Sequence, residues 1–102
     1  MSKETCNCVL YGYEFYQNLI DLKRKLNEGK DSVYITIYSD NANHFINKIR
    51  DECDVNTDKS MEALYKVKEF IDKKQYLYAG DMLNRILMDT TTASAFQAFK
   101  KC

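Results

Sequence analysis

Val33-Tyr34-Ile35-Thr36-Ile37-Tyr38 is the stretch on which the fold class turns. All six residues are β-branched or aromatic, the types enriched in strands. They also alternate: Val33, Ile35 and Ile37 face one way, Tyr34, Thr36 and Tyr38 the other. Ser39, Asp40 and Asn41 follow and are good N-caps, so the stretch reads as a short extended element running into a helix. A strand cannot satisfy its own backbone N–H and C=O groups, which leaves three arrangements. In the first, residues 8–14 are also extended and pair with 33–38, since Val9, Tyr11 and Tyr13 alternate and Gly12 weakens a helix there. That is an α+β start of β-α-β type. In the second, 33–38 pairs with its own copy across a two-fold axis. In the third the segment is helical, with burial overriding propensity. The favoured reading is a mainly α single domain, residues 1–102, of four to five helices with one short extended segment near 33–38.

On the N-terminal side, residues 1–7 are polar and read as a flexible lead-in. A helix then runs to about Glu28, where Asn27, Glu28 and Gly29 form a stop and Gly29 suits the left-handed cap position. Lys23, Arg24 and Lys25 stand at the negative end of its dipole. This helix carries two apolar stripes: Tyr11, Phe15, Leu19, Leu22 and Leu26, and beside it Tyr13, Tyr16 and Ile20. A helix on the surface of a small domain needs one, so the second stripe is expected either to be core or to meet a partner.

After the extended element, a helix with Ala42, Phe45, Ile46, Ile49 and Cys53 along one side is expected. A third begins after Thr57 or Ser60 and buries Leu64, Val67 and Ile71. A break at Lys73-Lys74-Gln75 leads to a fourth with Ala79, Met82, Leu83, Ile86 and Leu87. Asp89 or Thr90 caps a last short helix holding Phe96 and Phe99. Val67, Phe70, Tyr76, Ala79, Leu83 and Ile86 have spacings similar to a tetratricopeptide-like helix pair. One pair lacks the stacked neighbours that give such repeats their groove, so it reads as an ordinary antiparallel helical hairpin.

Composition narrows the function classes. Fifteen acidic and fifteen basic residues cancel, which removes a long-range electrostatic argument for nucleic acid or anionic membrane and favours self-association. The absence of proline leaves helices uninterrupted. No run approaches the roughly 20 apolar residues of a membrane helix. The polar N-terminus does not read as a signal peptide, so the chain is expected to be intracellular and cytoplasmic. Its four cysteines are then expected as thiols or metal ligands before disulfides.

Little in the chain points to catalysis. Cys6-Asn7-Cys8 is a C-x-C pair, unlike the C-x-x-C of most structural zinc sites. His44 and Cys53 are about 900° apart on a continuous helix and cannot share one ion. Cys53, on the apolar side, reads as a small hydrophobe. His44 is the only histidine, and Ser39 and Asp40 are better used as helix caps than as its catalytic partners. No metal and no cofactor are expected.

Tyrosine is the residue type that stands out, with eight in 102 residues. It offers a large contact area while its hydroxyl tolerates water, which suits interfaces. The expected function is therefore a small non-enzymatic binding or inhibitory protein, acting by occlusion or sequestration of a protein partner and assembling as a homo-oligomer. Its Asn-, Lys-, Ile- and Tyr-rich composition fits the AT-rich genomes of many viruses and phages. The candidate binding residues are Tyr13, Tyr16, Tyr34, Tyr38 and Arg24. The rival is a nucleotide- or nucleic-acid-binding module in which bases stack on Tyr34 and Tyr38 beside Lys23, Arg24, Lys25 and Lys30. A third reading is a metal or redox protein using Cys6 and Cys8.

Overall fold

A computed structural model of the chain describes residues 3–53 and 56–88, with the side chains of residues 3–6 excepted. The described residues form four helices: α1 (Lys3–Asn27), α2 (Val33–Glu52), α3 (Asp58–Asp72) and α4 (Tyr76–Met88). No strand occurs among the described residues. Helix α1 lies against α2 on one flank and α4 on the other, while α3 packs mainly on α4. The fifth helix expected around Phe96 and Phe99 lies outside the described residues.

The core follows from four stripes that meet. Phe15, Leu19, Leu22 and Leu26 of α1 face Ile35, Ala42, Ile46 and Ile49 of α2, Leu64 and Val67 of α3, and Ala79, Leu83 and Ile86 of α4 in one buried cluster. Of the two stripes on α1, only the first is core. Tyr16 and Ile20 are half-buried and Tyr13 is exposed.

The extended segment expected at 33–38 is instead the first part of α2, and a β-α-β start is excluded because 8–14 is helical too. Two physical terms explain the reversal. Ser32, in extended conformation, accepts a hydrogen bond on Oγ from the Tyr34 N–H at 3.2 Å, which caps the helix seven residues earlier than Ser39 would. A helical period then brings Ile35 into register with Ala42, Ile46 and Ile49, extending the buried stripe by about two turns. Strand propensity costs a few tenths of a kcal/mol per residue in a helix, whereas burying one large aliphatic side chain contributes about 1.5–3 kcal/mol. Ser39 and Asp40 are accordingly inside α2 and do not cap it.

Helix ends are set locally. At the end of α1, Gly29 adopts φ 70° and its N–H bonds the Leu26 carbonyl at 3.1 Å. The end of α3 has the same left-handed residue, but there it is Lys74 at φ 62°. The Lys74 N–H bonds Ile71 O at 3.0 Å and the Gln75 N–H bonds Phe70 O at 2.8 Å, the paired contacts of a Schellman ending. Thr57 precedes α3 as expected, although its side chain makes no capping bond. Helix α1 begins at Lys3 and so includes residues 3–7.

Candidate functional site

The seam between α1 and α2 collects the most chemistry. Tyr34 and Tyr38 are one helical turn apart on α2, and their rings stack with centroids 6.0 Å apart and planes 24° apart. From α1, Lys25 brings its ammonium to 5.3 Å from the Tyr34 ring centre, a cation–π contact. The same ammonium lies 3.4 Å from Glu28 Oε1. Tyr38 is partly buried against the core, so this pair is anchored at one end and open at the other.

Around this stack the surface is apolar. Val33 is 68% exposed, Tyr34 50% and Ile37 42%, while Ile35 between them is 2% exposed. Other large apolar residues also reach solvent, among them Leu10, Tyr65, Leu77 and Met88, but they are scattered over different helices. Isolated exposed hydrophobes are ordinary; three within five positions are a patch. The strand reading put Val33 and Ile37 on one face with Ile35, and the helix separates them: only Ile35 is core. The signal for this was the longer period joining Ile35 to Ala42, Ile46 and Ile49.

The other expected binding residues are elsewhere. Tyr13 and Lys25 differ by about 120° around α1 and about 18 Å along it. Arg24 is on the same side of α1 as Tyr13 and is held by Asp21 Oδ1 at 2.7 Å. Lys23 turns to α4, donating to Asn84 Oδ1 at 2.8 Å. Tyr16 is half-buried further along α1. The structure thus unites Tyr34 with Tyr38 and adds Lys25, Val33 and Ile37, but does not bring Tyr13, Tyr16 and Arg24 to that patch.

The remaining candidates for chemistry are modest. Between the start of α3 and the last turns of α4 is a hollow of about 180 Å³, lined by Lys59, Ser60, Ala63, Met82, Arg85 and Ile86. It is smaller than the roughly 300–1,000 Å³ of ligand pockets. His44 is exposed and meets the edge of Phe45 at 5.1 Å, while Ser39 is buried, so the two do not form a nucleophile–base pair. The Ser39 hydroxyl makes no hydrogen bond among the described residues. No group of three His, Cys, Asp or Glu residues among the described ones is arranged to hold a metal ion.

The cysteines depart from expectation. Cys8 and Cys53 form a disulfide between α1 and the C-cap of α2, with Cα atoms 5.9 Å apart, so neither is a free thiol. Helical spacing explains it: Cys53 follows Ile46 and Ile49 on the inner face of α2, and Cys8 precedes Phe15 by two turns on the inner face of α1. At the opposite end of the molecule, Asp31 in the α1–α2 connection accepts hydrogen bonds from the Tyr76 hydroxyl and from Lys74 Nζ, the latter at 2.9 Å to each oxygen. No described helix is long and apolar enough to cross a membrane.

Comparison with known proteins finds no match: no family model, no curated protein and no solved structure is similar to the chain. The functional reading therefore rests on the surface alone.

Proposed function

We propose that this is a non-enzymatic binding protein that acts by occlusion, covering a protein surface with the patch at the start of α2. The observation that carries the reading is the clustering of Val33, Tyr34 and Ile37 around the stacked Tyr34–Tyr38 pair. A ring already held by its neighbour loses little further freedom on docking, so more of its contact energy is realised as affinity. Tyrosine and aliphatic contacts with one cation at the edge are the usual make-up of an interface core and its rim. A second copy of the chain is the first partner proposed, since the patch has both rings and aliphatic side chains to interdigitate and the net charge is zero. An inhibitor of viral or phage origin, working in the cytoplasm, is the biological form proposed.

The double variant Tyr34→Ser/Ile37→Ser tests this, because both positions are solvent-facing and the helix should survive. Native mass spectrometry is expected to show an assembly for the wild type and a monomer for the variant, with unchanged helical circular dichroism. An equal native mass for both proteins overturns the reading.

A second reading, nucleotide stacking on Tyr34, is favoured by Lys25 alone. Lys25 is already beside Glu28, so the one cation at the stack is partly neutralised. Co-purified material absorbing near 260 nm, or affinity falling with salt, would raise this reading above the first.

A further inference from the structure

The Cys8–Cys53 bond sits at a particular point of the packing. Cys8 is the only buried apolar side chain on α1 ahead of Phe15 among the described residues. Beside it, Tyr11 donates to Glu52 Oε1 at 3.4 Å, and its ring lies 6.4 Å from that of Phe45. From Phe15 onward, by contrast, α1 is held by its whole leucine stripe. Among the described side chains, Cys8 and Tyr11 tie the first turns of α1 to α2, one by a covalent bond and the other by a hydrogen bond and a ring contact. Cys53 lies where the chain leaves α2, in extended conformation and half-buried, whereas Cys8 is buried, so Cys53 is the more exposed residue of the two.

We propose that Cys8–Cys53 is a redox-operated clasp that docks the first three turns of α1 on the end of α2. Disulfides persist in oxidising compartments, and inside reducing ones they are mostly transient and redox-sensing. Opening needs a dithiol reductant. One of its thiolates attacks the Cys53 sulfur, forming a mixed disulfide and expelling Cys8 as a thiolate. Its second thiolate then resolves the mixed disulfide. Cys8 and Cys53 each end as thiols, having gained two electrons and two protons between them, and the reductant ends as a disulfide.

Opening the clasp also changes what α2 presents. Tyr34, Tyr38, Asn41 and Phe45 follow one another at helical spacing on the α2 flank that meets α1. Releasing the start of α1 uncovers Phe45 and lengthens the aromatic stripe that begins at the proposed binding patch. This consequence rests on the binding reading; the redox step itself does not.

Hydrogen-exchange mass spectrometry on the full chain, oxidised and then reduced with dithiothreitol, separates the two. Reduction is expected to speed exchange at residues 3–11 by about tenfold or more, leaving residues 15–27 and 60–71 protected. The Cys8→Ser variant is expected to behave like the reduced protein without reductant. Unchanged exchange on reduction overturns the clasp, as does protection lost throughout, which would make the bond a staple of the whole domain. A bond that resists glutathione at cytosolic concentrations, or two free thiols at these positions in the air-purified protein, overturns it too. None of these readouts depends on whether the Tyr34 patch binds anything.

Discussion

Asp31 shows how a single exposed residue is tuned by its neighbours. The Tyr76 hydroxyl, and after it the Lys74 ammonium, hold its carboxyl below the ordinary value of 3.8. The same contacts push Lys74 and Tyr76 above their ordinary values of 10.5 and 10.0. A carboxylate whose pKa is depressed by folding adds stability above its unfolded value, and that stability is lost as pH falls through the lower, folded value. For Lys74 and Tyr76 the sign reverses: their contribution is whole below the ordinary values and is lost as pH rises past them. The denaturation midpoint in urea is therefore expected to fall below about pH 3.8 more steeply for the wild type than for Asp31→Asn. Because all three groups are at the surface, the effect is small, and parallel midpoints for the two proteins across that range would remove it.

At the scale of an element, α2 depends on where it starts. Ser32 supplies the one side-chain cap bond at its N-terminus, and the residues immediately after it favour strands. Ser32→Ala is expected to cost about 1 kcal/mol by thermal denaturation, with a visible loss of helical signal. A change of under a few tenths would mean that packing of Ile35 holds this turn unaided. Three of the helix boundaries were legible in advance. Gly29, Thr57 and the break at Lys73–Gln75 are all where local residue chemistry places them, because a cap or a stop is made by atoms within four or five positions. Residues 33–38 were misleading for the converse reason: their local preference is real, but the stripe that overrides it is completed by Ala42, Ile46 and Ile49, and is worth something only when α1 is there to cover it.

Across the whole molecule, α1 joins the parts. Its leucines face helices on two sides, and polar contacts fix its register with each neighbour. Asn18 donates through Nδ2 to Glu14 O at 2.8 Å and accepts from Asn41 Nδ2 at 3.3 Å, while Lys23 reaches Asn84 of α4. Leu22 is wholly buried in the middle of this arrangement. Leu22→Ala is expected to destabilise the protein by about 2–5 kcal/mol through lost burial and the cavity left behind. A loss below about 1 kcal/mol would mean that the four helices do not form one core.

The apolar periods written into residues 15–26, 64–71 and 79–86, and the caps and glycine between them, were enough to establish a helical chain and most of its break points. They work at the range of a helical turn, where the partners are a few residues away. The state of residues 33–38, the outward turn of Val33 and Ile37, and the meeting of Cys8 with Cys53 across a separation of 45 residues were settled by packing. Each depends on what lies against a helix rather than on what lies along it. Burial energy, which is indifferent to sequence distance, is what decides between local alternatives that differ by only a few kcal/mol.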